Sequence, residues 1–167
     1  MKGYILKKKE IDTMQGSYKT HYLNEDAART KKSLGDLTGL QGFGFHMIEV
    51  PVGKASTEFH FHKHEDECVY ILEGQADAVI GEDTYPVSAG DFIGYRANGL
   101  PHLLQNTGTT PLKCIVVGTR LPHDVADYPR LNKRLYRNQG QEWELVDIDK
   151  VTYPKSSTPS TQNEKAS

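Results

Sequence analysis

From residue 41 to residue 118 the chain alternates short apolar runs with turn residues, and no long stretch keeps a helical period. The runs are FGFHMIEV (43–50), TEFHFHK (57–63), CVYILE (68–73), ADAVI (76–80), DTYPV (83–87), DFIGYR (91–96), HLLQN (102–106) and LKCIVVG (112–118). Between them stand Pro51-Val52-Gly53, Gly74-Gln75, Gly81-Glu82, Ala89-Gly90, Asn98-Gly99 and the stretch from Thr107 to Pro111. Glycine, asparagine and proline at such points supply the dihedrals that tight turns need. Many short strands with regular turns predict an all-β sandwich or barrel. The missing helical period argues against a parallel α/β sheet.

The flanks read differently. GYILKK near the start predicts a strand, NEDAARTKK (24–32) a short helix, and LGDLTGL a turn leading into the barrel. LPHDVADYP reads as loop because Pro122 and Pro129 bracket it. LNKRLYR and EWELVDI each predict an added strand or a segment wrapped over the barrel, with Trp143 and the nearby tyrosines covering a barrel edge or a partner. The final PKSSTPSTQNEKAS, polar and rich in Ser, Thr and Pro, predicts disorder. The expected organisation is an N-terminal extension (1–40), the barrel (41–120), a C-terminal segment on the barrel or a partner (121–154) and a tail (155–167).

Composition narrows the function classes. A chain of 167 residues suits one core. Its net charge of −2 gives no electrostatic case for nucleic acid, and the basic run Lys7–Lys9 is offset by Glu10 and Asp12. MKGYILKKKE lacks the apolar region of a secretion signal, and no apolar stretch approaches a membrane span. A cytoplasmic address, no membrane association and two reduced thiols (Cys68 and Cys114, without CxxC spacing) are expected.

The chemistry concentrates in GKASTEFHFHKHEDECVYILEG (53–74). His60 and His62 are two apart, so on a strand both imidazoles face one side. Glu67 follows a charged bend at the start of the next run, and His102 opens a later one behind Pro101. Three imidazoles and a carboxylate suit one borderline divalent ion such as Zn, Mn, Fe or Ni. Open positions on that ion would admit a substrate or O2. The alternative, a metal-free barrel with four buried polar groups, leaves a costly unpaired cluster.

These residues resemble the two cupin motifs. The first appears as Gly53, His60, His62, Glu67 and Gly74, and the second as Gly90, Gly99, His102 and Asn106. The second departs from the family pattern: the mid-motif Pro is missing around Arg96 and Ala97, and the spacing from Gly90 is one residue longer. The resemblance implies a double-stranded β-helix (jelly-roll) barrel over about residues 40–120, with the metal inside it. More loosely, ARTKKSLGDLTGL through VVGTRLPHDVADYP resembles bacterial single-domain cupins, some carrying a sugar-phosphate isomerase label. Such cupins are commonly dimers, so a homodimer is expected.

His64 sits too close to Glu67 for the family spacing and is expected at the exposed bend. His46, Tyr95, Arg96 and Arg120 are candidate substrate-binding residues, with His123 and Asp124 as further polar groups near the barrel mouth. An arginine there would suit a carboxylate or phosphate. No P-loop, nucleophile elbow or dinucleotide fingerprint is present. Three functions remain: a metal-dependent isomerase-like enzyme on a small polar metabolite, an iron or nickel dioxygenase, and a non-catalytic small-molecule binder. The sequence shows no general base beyond the ligands.

Overall fold

A computed structural model describes residues 3–154, and the C-terminal tail expectation lies outside them. A short helix α1 (Lys8–Thr13) is followed by β1 (Ser17–His21), β2 (Asn24–Lys32) and a second short helix α2 (Leu34–Thr38). The barrel strands are β3 (Phe43–Val50), β4 (Phe61–His62), β5 (Glu67–Glu73), β6 (Gln75–Ile80), β7 (Asp83–Ser88), β8 (Phe92–Tyr95), β9 (His102–Gln105) and β10 (Leu112–Thr119). Then come β11 (His123–Tyr128), β12 (Lys133–Asn138) and β13 (Glu144–Asp147). No described helix is long and apolar enough to cross a membrane.

The strands form three antiparallel sheets, in the orders β1-β2-β3-β10-β5-β8, β13-β12-β11-β4 and β7-β6-β9. The fold is the all-β cupin barrel. Alternation decides what faces inward: Ile48 and Val50 on β3, Val69 and Ile71 on β5, and Leu112 and Cys114 on β10 are buried together with Ala76, Ala78 and Leu104. Each fully buried aliphatic of this kind contributes about 1.5–3 kcal/mol. Tyr70, out of phase, is exposed. The same inward face continues from Ile71 and Val69 to Glu67, so the barrel is packed solid at one end and chemically polar at the other.

Four local expectations change. NEDAARTKK is strand β2, because it is paired on one side by β1 and on the other by β3. Those two ladders, with Ala27 and Ala28 buried, override a modest helix propensity. HDVADY is strand β11, paired with both β12 and β4, since Pro122 and Pro129 lie just outside its ends and break no ladder bond. The region of GYILKK leads into α1 instead of forming a strand: the Lys7 N–H donates to the Glu10 carboxylate (2.7 Å), which starts a helix. LGDLTGL contains α2, ended by Gly39 at φ +87°.

The run 57–63 is paired as strand only at Phe61–His62, and Cys68 and Cys114 are free thiols. The flanks therefore lengthen two sheets. The β1–β2 hairpin extends the sheet of β3, and β11–β13 extend that of β4, so both reach the polar end of the barrel.

Candidate metal centre

His60 and His102 form a two-way backbone bridge: the His102 N–H donates to the His60 carbonyl (2.8 Å), and the His60 N–H to that of His102 (3.3 Å). This cross-strand pairing sets their rings 5.1 Å apart, centroid to centroid. His62, two residues on, faces the same way, and its Nε2 lies 3.2 Å from that of His60. Glu67, at the start of β5, stands opposite Gly118 and Tyr95 and lines the same cavity of about 440 Å³.

The outer nitrogens of the three imidazoles are all occupied. His60 Nδ1 donates to the Glu58 carbonyl (2.8 Å), His102 Nδ1 to the Leu100 carbonyl (3.2 Å), and His62 Nδ1 to Asp124 Oδ2 (2.5 Å). A neutral imidazole that donates through Nδ1 keeps a lone pair at Nε2. His60 is held well below its ordinary pKa by burial and by the neighbouring histidines, and His102 is pushed down to about 4, chiefly by burial. Burial works the same way on His62, but the Asp124 carboxylate outweighs it and raises that group.

His102 Nε2 is buried and without a partner. All four side chains line one cavity, and imidazole nitrogens and a carboxylate are the donor types that a borderline divalent cation takes. Burial raises Glu67, while His62 and Arg29 pull it back towards the charged form. Aromatic rings wall the site: Tyr95 stacks on His102 (centroids 3.5 Å apart) and Tyr128 on His60 (5.8 Å).

A second grouping abuts the first. Potential ligand atoms of His62, Glu65 and Asp124 all lie within 4.8 Å of one another. Its carboxylates already have protein donors: Glu65 pairs with Arg137 and accepts from the Leu121 N–H (2.7 Å), and Asp124 accepts from His62 and the His64 N–H (3.2 Å). His62 thus belongs to both groupings: its Nδ1 side meets Asp124, with Glu65 close by, and its Nε2 side meets His60.

Of the substrate-binding candidates, His46 and Tyr95 line the cavity. His46 has a buried Nδ1 with no partner and is pushed down to about 4 by burial, then by Lys31 and Arg120. The Tyr95 hydroxyl is likewise buried and unpaired, and its pKa is raised by burial and by Glu67. Arg96 is exposed on the turn after β8. Arg120 is ion-paired to Asp36 (2.5 Å) and lines a shallower neighbouring hollow. His64 is exposed, its ring 5.1 Å from that of His123.

The cavity also holds residues that the sequence did not mark. Arg29 comes from β2, its Nη1 donating to the Ser56 carbonyl (2.5 Å). Tyr128 is inside the cavity and not on an outer edge, and Trp143, though exposed, lines the cavity and the neighbouring hollow. An arginine two residues from buried Ala27 on a period-two strand was the available signal for Arg29.

The cupin domain family matches residues 46–118. The chain superposes on a crystal structure from Acidithiobacillus ferrooxidans, provisionally assigned as a sugar phosphate isomerase, with a TM-score of 0.87. The two are 44% identical over 92% of this chain and 97% of that one. An oxalate-binding protein of Thermotoga maritima is 30% identical over 97 residues, 58% of this chain and 70% of that protein. An uncharacterized protein of Methanocaldococcus jannaschii is 38% identical over 66 residues, 40% of this chain, which spans only about half (51%) of that relative. With both motifs placed inside an antiparallel barrel and a relative matched along nearly its whole length, the chain belongs to the cupin superfamily.

Proposed function

We propose that the chain is a metal-dependent enzyme acting on a small polar metabolite, with one divalent ion held by His60, His62, Glu67 and His102, and that its reaction is of the sugar-phosphate isomerase kind. The observation that carries this reading is the set of three imidazoles tied down at Nδ1 while Nε2 is left for the cavity. An ion bound there would polarise a carbonyl or hydroxyl oxygen as a Lewis acid. The chain's own residues would do the rest. His46, neutral at pH 7, offers a proton acceptor on the cavity wall. The buried Tyr95 hydroxyl offers a neutral donor beside His102, and the aromatic walls exclude water. The Acidithiobacillus relative, alike along nearly its whole length, supports the isomerase reading. The Thermotoga oxalate-binding relative favours a second reading, a cupin that captures a small anion without turnover.

The test is elemental analysis by mass spectrometry of protein purified without an affinity metal, comparing wild type with His62→Ala. About one equivalent of metal, lost in the variant, is expected. The loaded protein is then followed by NMR with aldose and ketose phosphates. Interconversion supports the enzyme, and saturable binding without interconversion supports the second reading. No metal, and none taken up on reconstitution, overturns the centre.

A further inference from the structure

The register of the N-terminal hairpin places Lys19 of β1 directly opposite Arg29 of β2. Lys31, two residues beyond Arg29, shares its face of the strand, and all three side chains line the cavity that holds the metal-centre residues. Like charges directly opposed on antiparallel strands destabilise the pairing. Here two cations face each other and a third flanks them. Lys31 is lowered by burial and then by Arg29, with Lys19 and Arg120 adding to the repulsion.

The carboxylates that act on these cations are fewer than the cations: Glu67 acts on Arg29 and Asp36 on Lys31. Glu67 faces Arg29 but belongs to the metal centre, and Asp36 near Lys31 is ion-paired to Arg120. Arg29 is nevertheless fixed in place by its bond to the Ser56 carbonyl. A guanidinium anchored at one nitrogen keeps the rest of its fork for a planar or tetrahedral oxyanion. Repulsion built into a cavity wall is what a bound anion would relieve.

We infer that Lys19, Arg29 and Lys31 form an anion subsite on the hairpin wall of the cavity, which takes the phosphate of a phosphorylated metabolite whose other end reaches the metal centre. The inference rests on the proposed function for the second half of that statement only. The phosphate contacts stand on the hairpin alone. All three cations are carried by a segment outside the family-matched residues 46–118, so the hairpin sets the substrate class while the barrel supplies the chemistry.

The probe is inorganic phosphate, titrated calorimetrically into the full chain, both as purified and after chelator treatment. Oxalate is titrated in parallel. Wild type is expected to bind phosphate in both forms. Arg29→Gln and Lys31→Gln are each expected to weaken it at least 10-fold, and in Lys31→Gln the metal content read by elemental analysis is unchanged. Without phosphate, Lys31→Gln is expected to melt at the wild-type temperature or above, because a repulsion is removed, and to lose the upward shift that phosphate gives wild type.

Phosphate binding that vanishes on chelation and is indifferent to Arg29 and Lys31 overturns the subsite, since the anion would then sit on the metal. So does dependence on these residues for oxalate but not for phosphate, which would make the ligand a carboxylate. Failure of the metal centre is read separately: protein without metal that still binds phosphate through Arg29 leaves the subsite standing and removes only the proposed reaction.

Discussion

Asp124 Oδ2 lies 2.5 Å from His62 Nδ1, and the carboxylate is 3% exposed, so the ring is held from behind by a buried acceptor. That acceptor fixes which nitrogen of His62 carries the proton, and so which one faces the cavity. Asp124→Asn, which can offer an amide donor where an acceptor is needed, is expected to weaken metal binding about 10–100-fold. Competition against a calibrated chelator measures it. Unchanged affinity in a folded variant would show that Asp124 does not orient the ligand.

The buried histidines give a pH dependence with a definite sign. His46 and His102 sit at about 4 in the folded chain against an ordinary 6.5. Above 6.5 both are neutral whether folded or unfolded, and they do not tilt the balance. As pH falls from 6.5 towards 4, the unfolded chain takes up protons that the folded chain refuses, so stability is lost across that window. Metal-stripped protein should therefore melt progressively lower between pH 6.5 and pH 4. His46→Gln should flatten part of that fall. A melting temperature independent of pH over the window would show that neither group is held neutral by the fold.

The shared face of His60 and His62 was legible because strand periodicity acts locally: residues two apart face one side whatever the rest of the chain does. Tyr70 facing away from Glu67 follows from the same count. What surrounds these histidines was not legible, since it depends on pairing across long stretches of chain. Asp124 reaches His62 because β11 pairs with β4, setting Ala126 against His62 across 64 positions. The two prolines that read as loop markers only bound that strand. Arg29 was hidden by the helix-like composition of NEDAARTKK, which becomes a strand through partners on both sides.

Asn106 of the second motif acts on the fold and not on the centre. It is 1% exposed, and its Nδ2 donates to the carbonyls of Val50 (2.9 Å) and Thr110 (3.0 Å) while Oδ1 accepts from the Gly108 N–H (3.0 Å). It thus ties the end of β3 to the loop between β9 and β10. Asn106→Ala leaves two buried carbonyls and an amide N–H short of a partner, at about 2–4 kcal/mol in all. Urea unfolding is expected to show a lower midpoint at unchanged slope. The metal content of the folded fraction should not change. Loss of metal at wild-type stability would instead place Asn106 in the site.

Two glycines of the first motif separate backbone strain from crowding. Gly53 has φ +76° with nothing within 4 Å of where a Cβ would stand. Gly74, between β5 and β6, has φ +92°, and its Cβ would lie 3.1 Å from both the Leu112 Cα and the Pro111 carbonyl oxygen. Alanine at Gly53 meets only the left-handed backbone cost, about 1–2 kcal/mol. Alanine at Gly74 meets that cost and also pushes on main chain that cannot swing aside, so it should be the more damaging by about 1 kcal/mol or more. Glu67 lies at the opposite end of β5 from Gly74. The Gly74 variant should therefore lose stability in urea without losing metal from the molecules that remain folded. Equal destabilisation by the two variants would mean that the β5–β6 turn relaxes around the added methyl, and that backbone conformation alone selects glycine at both positions.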